Sequence, residues 1–228
     1  MRKVNEEEIK ALKGQGFILQ NNNEDFVCRV ITVDGTLKKE KLCKLGEIAD
    51  KYGYGHISFT TRLTVEIPGI KYESIENVKR ELEEVGLYSG GTGNRVRPVV
   101  ACKGTVCKFG LLDTQSLARE VHEKFYLGFY DMKLPHKFKV GIAGCPNNCT
   151  KADLNDFGIV GGKKGSVKIF LGGKWGKKPK IGEELGGLYS LEEALNIMEK
   201  VILAYKDESP IGERFGTLVD RIGVEAFK

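Results

Sequence analysis

Four of the six cysteines in this 228-residue chain fall into two tight pairs. Cys102 and Cys107 lie in Ala101-Cys102-Lys103-Gly104-Thr105-Val106-Cys107, and Cys145 and Cys149 lie in Gly144-Cys145-Pro146-Asn147-Asn148-Cys149. Glycine-rich turns let sulfurs from separate loops converge on one point. Nearby Lys103, Lys108 and Lys151 favour the thiolate, which is the form that binds metal. Three readings follow. The four can be buried structural thiols, since cysteine packs as a small hydrophobe. They can hold a structural zinc, because C-x4-C and C-x3-C fall near zinc spacings. They can hold a [4Fe–4S] cluster, which takes four cysteine thiolates. Two pairs set among Pro and Gly argue against plain thiols. The long gap between the pairs, and an Asn-Asn turn with few acids nearby, favour the anionic cluster over zinc. Cys28 and Cys43 stand apart and read as core thiols.

The elements that must position these turns are partly legible. Residues 5–13 predict a short helix with Asn5 as N-cap, acids in its first turn and Gly14 as its stop. Residues 26–33 alternate as a strand that turns at Asp34-Gly35. Residues 41–52 put Leu42, Leu45, Ile48 and Ala49 on one helical stripe. Strands are expected over 57–59 and 63–67, with Arg62 near the bend between them. An amphipathic helix over 73–85 turns Ile75, Val78, Leu82 and Val85 inward and stops at Gly86. The glycine cluster in Ser89-Gly90-Gly91-Thr92-Gly93-Asn94 marks the boundary between a domain at 1–92 and one at 93–228. No Gly-Lys-Ser/Thr follows it, so it is not read as a nucleotide loop. Beyond it come a strand over 96–101 leading to Cys102, a helix over 113–126, and a strand over 138–143 ending at the second cysteine turn. A hairpin of 158–160 and 167–171 around Lys163-Lys164-Gly165 and helices over 191–205 and 211–222 complete the chain. The class is α+β.

In this order the residues resemble the sirohaem-dependent sulfite and nitrite reductase family, in a small single-repeat form. Gly144-Cys145-Pro146-Asn147-Asn148-Cys149 with Asp156-Phe157-Gly158-Ile159-Val160-Gly161 resembles the family's second cluster motif, and 101–107 resembles the first. Thr60-Thr61-Arg62 followed by Pro68-Gly69-Ile70 is similar to the Thr-Thr-Arg strand of the family's ferredoxin-like half. Arg97 sits where the family has an anion-binding arginine. Leu134-Pro135-His136-Lys137-Phe138-Lys139 resembles its Leu-Pro-x-Lys-x-Lys segment, and Gly212-Glu213-Arg214-Phe215-Gly216 the tail of short anaerobic members. The first pair departs from the family's C-x5-C by one residue, and Lys103 replaces its proline.

The resemblance implies a ferredoxin-like N-terminal α/β half-domain followed by a domain for a [4Fe–4S] cluster and sirohaem. It implies six-electron reduction of sulfite to sulfide, or of nitrite to ammonia, with Cys102, Cys107, Cys145 and Cys149 on the cluster and the Cys149 sulfur shared with the sirohaem iron. A small oxyanion needs fixed positive charge, which arginine and lysine supply. The implied candidates are Arg62, Arg97, Lys137 and Lys139, the two lysines aimed to one side by strand alternation and able to pass protons. Asn94, Arg95, Lys103, Lys108, Asn147 and Lys151 are candidates for the macrocycle's carboxylates. A cluster-only electron carrier and a biogenesis or sensor protein without turnover stay open as alternatives.

Composition bounds the rest. Hydrophobic content of 41% and charged content of 29% are those of an ordinary globular chain. No apolar run is long enough to span a bilayer, and the start Met1-Arg2-Lys3-Val4-Asn5-Glu6 has no signal-peptide core. Cytoplasm is the expected location, where thiols stay reduced. A net charge of +5 comes with no basic helix or aromatic-basic module, so nucleic acid is not expected. The expected partners are sulfite or nitrite and an external electron donor such as ferredoxin or a reductase subunit, the chain acting as a homodimer or as a monomer with a more open site. The three histidines lack ligand spacing, and His136 is read as a solvent-exposed side chain. Trp175 and the Gly172-Gly173-Lys174 loop read as a packing or docking surface.

Overall fold

The computed structural model describes residues 4–228. The opening Met1-Arg2-Lys3, part of the N-terminal reading above, lies outside the described residues. The chain divides into two units, Met1–Gly93 and Asn94–Lys228.

The first unit is built on an antiparallel sheet of order β1-β2-β4-β3, with β1 Phe17–Leu19, β2 Phe26–Val30, β3 Ser58–Phe59 and β4 Val65–Ile70. Strand alternation buries Phe26, Cys28 and Val30 on β2, and Val65 and Ile67 on β4. Helices α1 Glu6–Gly14, α2 Lys39–Tyr52 and α3 Ile75–Glu83 add Leu12, Leu45, Ile48, Ala49, Ile75, Val78 and Leu82 to that core. Asn5 caps α1 in a full capping box, its side chain accepting from the Glu8 N–H at 2.9 Å while Glu8 reaches back to the Asn5 N–H. A buried Glu81 ties α3 to α2 by accepting from Lys51 at 2.7 Å and Tyr52 Oη at 2.8 Å, with Lys44 at 3.0 Å. These bonds hold its carboxyl down at about 2.

Several local expectations shift here. Gly14 is still helical, and the chain leaves α1 through Gln15 to Gly16, whose φ of 96° needs glycine. Strand β1 follows at once, too short to show a period. Strand β2 stops at Val30, because Val33 takes φ 50° inside the Thr32–Gly35 turn. Leu42 lies 44% exposed, off the buried stripe of α2. A 3-10 turn, Tyr72–Ser74, precedes α3. Cys43 is exposed on α2, so only Cys28 is a core thiol, and burial pushes that thiol far up.

The second unit holds a mixed sheet of order β5-β6-β7-β8-β9: β5 Val100–Ala101, β6 Val140–Ala143, β7 Phe157–Gly161, β8 Val167–Leu171 and β9 Glu183–Glu184. Strands β5, β6 and β7 are parallel, and β8 and β9 continue antiparallel. Strand β7 is buried along its whole length, as an interior strand covered on both faces must be. Helix α4 Thr114–Val121 is capped by Asp113 and runs into a π-helical turn, His122–Leu127. Helix α5 Leu191–Glu208 starts in a second capping box, Ser190 with Glu193, and α6 Phe215–Ile222 follows. Leu117, Val121, Met198, Val201, Ile202, Tyr205, Phe215 and Leu218 from these helices close over Phe138, Ile142, Ile159 and Ile169 of the sheet region. The expected last helix loses its first turn, since Ile211 is 95% exposed and α6 begins only at Phe215. The expected strand over 96–101 is regular only at its end, although Val96 already bridges to Phe138.

Candidate functional site

The two cysteine turns leave adjacent parallel strands at their carboxyl ends. Ala101 pairs with Ile142, and the Cys102 N–H donates to the Ile142 carbonyl at 3.1 Å. Cys102 follows β5 directly, and Gly144-Cys145 follows β6. In an open α/β sheet, ligands gather beyond the carboxyl ends of the strands, where two loops diverge. The Gly144 N–H donates to Cys102 Sγ at 3.1 Å, and the Gly104 N–H does so at 3.5 Å. Two backbone amides aimed at one sulfur suit it as a cluster ligand. A Cβ on Gly144 would stand 3.3 Å from Cys102 Sγ, and Gly104 takes φ 53°, so glycine permits both approaches. Thr114, at the start of α4, donates to the Cys102 carbonyl and locks the first turn to the helix.

The rest of each turn is tightly tied. The Cys107 N–H donates to the Gly104 carbonyl and Gly110 N–H to the Cys107 carbonyl, both at 2.9 Å, while Leu111 N–H reaches the Gly144 carbonyl at 2.8 Å. In the second turn the Asn148 N–H donates to the Cys145 carbonyl at 3.1 Å, with Asn148 at φ 46°. The Asn148 side chain accepts from Ala152 N–H at 2.8 Å and donates to Asp153 Oδ1 at 2.7 Å. Cys102, Cys107 and Cys145 are partly exposed and Cys149 is exposed. Among the described residues, no three His, Cys, Asp or Glu side chains gather as they would around one metal ion. A cubane cluster gives each thiolate its own iron, so its donors stand further apart than around a single ion. Four thiols on facing glycine turns, one already receiving two amide N–H groups, fit that group. Lys103, Lys108, Asn147 and Lys151 sit exposed on these same turns, Lys151 at φ 51°.

The cations form a second group, at the opposite end of the same strands. Arg97 N–H donates to the Phe138 carbonyl at 2.8 Å, and Phe138 N–H to the Arg95 carbonyl at 3.0 Å, so the two cation-bearing segments run side by side. Lys137 and Lys139 flank the fully buried Phe138, which sends both to the other side. Next to Lys137 stands His136, half-buried rather than exposed, because Pro135 and Leu134 beside it are buried. Burial, and then the charges of Arg214, Lys137, Arg97 and Lys139, hold its imidazole below the usual value. One ring thus reports four cations in its field. Its Nδ1 accepts from the Lys137 N–H at 2.7 Å, which fixes the proton-bearing nitrogen as Nε2 in the neutral ring.

Two residues that the motifs contained only as signatures turn out to hold this group. Asp156 is 1% exposed, accepts from Arg214 Nη2 at 2.9 and 3.1 Å, and accepts from the Lys139 N–H at 2.9 Å. Burial raises its carboxyl while Arg214 and Lys139 oppose the rise. Arg214 is the residue before α6. No spacing rule links positions 58 residues apart. Of the remaining candidates, Asn94 lies beside Pro135, donating to its carbonyl at 3.3 Å, and Arg95 stacks on the Tyr130 ring at 4.1 Å. Arg62 belongs to the first unit, in the turn between β3 and β4, where its N–H donates to Thr60 Oγ1 at 3.2 Å and Leu63 takes φ 61°. His122 is buried against Tyr126 at 4.8 Å and is structural.

Comparison with known proteins identifies both units. The family model for the nitrite/sulfite reductase ferredoxin-like half domain matches residues 18–85, and that for the nitrite and sulphite reductase 4Fe-4S domain matches residues 92–228. The chain is 33% identical over 216 residues to an assimilatory-type sulfite reductase of Nitratidesulfovibrio vulgaris, covering 94% of this chain and 95% of that one. It is 32% identical over 168 residues to an anaerobic sulfite reductase polypeptide of Salmonella typhimurium, covering 67% of this chain and 48% of that one. Among solved structures, the NirA protein of Mycobacterium tuberculosis superposes with a TM-score of 0.84 at 20% identity, over 98% of this chain and 46% of that one, which shows the shared fold. A ferredoxin-like half domain followed by a 4Fe-4S domain, matched over nearly the whole chain, makes this protein a member of the nitrite and sulphite reductase family, which reduces oxyanions with sirohaem and a [4Fe–4S] cluster.

Proposed function

We propose that the chain reduces sulfite to sulfide, with nitrite as its second substrate. The observation that carries this is the Cys102 sulfur, which receives two backbone N–H groups at the junction of two parallel strands, opposite a second cysteine turn. Cys102, Cys107, Cys145 and Cys149 would hold the cluster, and Cys149 would share its sulfur with the sirohaem iron. The haem and cluster together supply a metal site for the anion and a store of electrons that no side chain can offer.

The chain's own residues do the rest. Arg97, Lys137 and Lys139 hold positive charge where a doubly charged anion, or the carboxylate arms of the macrocycle, must be bound in a partly dry site. The motif alone supports an oxyanion role for Arg62. Asn94, Arg95, Lys103, Lys108, Asn147 and Lys151 are proposed for the macrocycle's rim. Lysine ammonium groups are the proton donors at hand, and the His136 Nε2–H offers a hydrogen bond. The balance for sulfite is six electrons and six protons taken up, with sulfide and three waters released. For nitrite it is six electrons and eight protons, with ammonium and two waters released. The electrons come singly from an external donor. Six cysteines without a disulfide suit a reducing cytoplasm.

The test is anaerobic purification followed by iron, acid-labile sulfide and porphyrinoid analysis, with oxidation of reduced methyl viologen measured against sulfite and nitrite separately. Sulfite-dependent turnover with sirohaem present supports the reading. A cluster without sirohaem, and no turnover, would instead make the chain an electron carrier.

A further inference from the structure

The segment from Gly173 to Ile181 has no part in the site described so far. Lys174 and Lys180 pair across it, each N–H donating to the other's carbonyl at 2.8 and 2.9 Å. Trp175-Gly176-Lys177-Lys178-Pro179 therefore forms the tip of a small hairpin. Trp175 is the chain's single tryptophan, and it stands 63% exposed, with Ile181 at 66%. A large aromatic usually fills a core or an interface, and leaving it in water forgoes its hydrophobic contribution. Lys177 and Lys178 project from the tip into solvent beside it. Lys180, at the base, is held by Asp220 and lies 3.6 Å from Glu183.

The root of the hairpin is fastened to the segment that follows Cys149. The Gly182 N–H donates to the Asp153 carbonyl at 2.7 Å. Gly173 lies so close to the carbonyls of Asp153 and Asn155 that no Cβ fits there. The Asp153 carboxylate in turn accepts from the side chain of Asn148, the neighbour of Cys149, at 2.7 Å. A short run of hydrogen bonds thus links the second cysteine turn to a tip that is aromatic and positively charged.

We propose that this hairpin is the docking site of an acidic electron-carrier protein, whose carboxylate rim meets Lys174, Lys177 and Lys178 and whose apolar centre covers Trp175 and Ile181. The inference rests on the reductase reading, which requires single electrons delivered by an external protein. The charge of the tip selects an acidic partner, and an exposed tryptophan sharing a hairpin tip with exposed lysines matches the anchor-and-rim pattern of protein interfaces. Lysines at a rim speed encounter with an oppositely charged partner. A nucleic acid would need a longer basic track than one tight turn. At each visit the carrier is oxidised by one electron and the chain reduced by one, so six visits serve one sulfite.

The experiment uses the holoenzyme with two donors, a reduced acidic bacterial ferredoxin and reduced methyl viologen, and compares wild type with Trp175→Ala and with Lys177→Glu combined with Lys178→Glu. The proposal expects the KM for ferredoxin to rise about tenfold or more in both variants, with the viologen-driven rate unchanged. It also expects the Kd for oxidised ferredoxin, titrated without turnover, to weaken with salt in wild type and to lose most of that dependence in the charge-reversed variant. Unchanged ferredoxin KM and Kd in both variants would overturn it. So would a wild type driven by viologen but not by ferredoxin, or variants whose affinity for a DNA oligonucleotide falls while that for ferredoxin holds. Loss of sulfite reduction with viologen in the wild type would strike at the reductase reading instead, and the Kd series would still decide the docking site.

Discussion

Asp156 and Arg214, 58 residues apart, form an ion pair in which a single Nη2 reaches both carboxylate oxygens, at 2.9 and 3.1 Å. The carboxylate is 1% exposed and also accepts the Lys139 N–H, so one buried group fastens the lysine segment, the start of β7 and the start of α6 together. Removing one partner leaves a buried charge uncompensated. Arg214→Gln should cost about 3–5 kcal/mol of stability, read as a shift in the urea midpoint. Arg214→Lys, which keeps a charge beside the carboxylate, should cost clearly less. Equal losses in the two variants would mean that charge is not what matters at this position.

Cluster ligation makes the six cysteines unequal. Serine at Cys102, Cys107, Cys145 or Cys149 should lose most iron and acid-labile sulfide. Cys43→Ser, on an exposed helix face, should change nothing. Cys28→Ser should keep its iron yet lose about 1–3 kcal/mol, because a hydroxyl replaces a thiol in an apolar core. Full iron in all four of the first variants would remove the cluster from these residues.

Charge-assisted hydrogen bonds are worth about 1.5–3 kcal/mol each. Arg97→Ala, Lys137→Ala and Lys139→Ala should therefore each lower kcat/KM for sulfite by roughly tenfold to a hundredfold. If these cations bind substrate, cofactor content stays near wild type. Loss of sirohaem before loss of rate would assign them to the macrocycle's carboxylates, which their distance from the cysteines makes a direct question.

His136 is held below its usual value by burial and by Arg214, Lys137, Arg97 and Lys139. Removing a cation from that field should raise it. Histidine titration by NMR should shift upward in Lys137→Met, and the acid limb of the pH–rate profile should move the same way. A titration indifferent to Lys137 and Arg97 would mean that these side chains do not share a site.

In the first unit, Glu81 is held at about 2 against an ordinary value of 4.5 by Lys51, Lys44 and Tyr52. A depressed carboxyl contributes stability that is complete above the unfolded value and lost as pH falls through the folded one. Glu81→Gln should lower Tm by about 5 °C at pH 7, and the gap to wild type should close between about pH 4.5 and pH 2. A gap that persists at pH 2 would assign the effect to packing.

Local chemistry along the chain was enough to locate the cysteine turns, the capping of α1, the buried stripe of α3 and the glycine-rich segment at 89–94. Each of these depends on neighbours within a few residues, where propensity and period speak directly. The four cysteines and the cations at 97, 137 and 139 are candidates drawn from compact motifs for the same reason. Leu42 misled because a helical stripe has an edge, and only the packing decides on which side of it a residue falls. His136 misled because its buried neighbours Leu134 and Pro135 carry it partly inward, whatever its own polarity. The Asp156–Arg214 pair and the aim of two amides at Cys102 belong to the tertiary structure alone. They arise when parallel pairing of β5, β6 and β7 brings together residues whose separation along the chain carries no periodic signal.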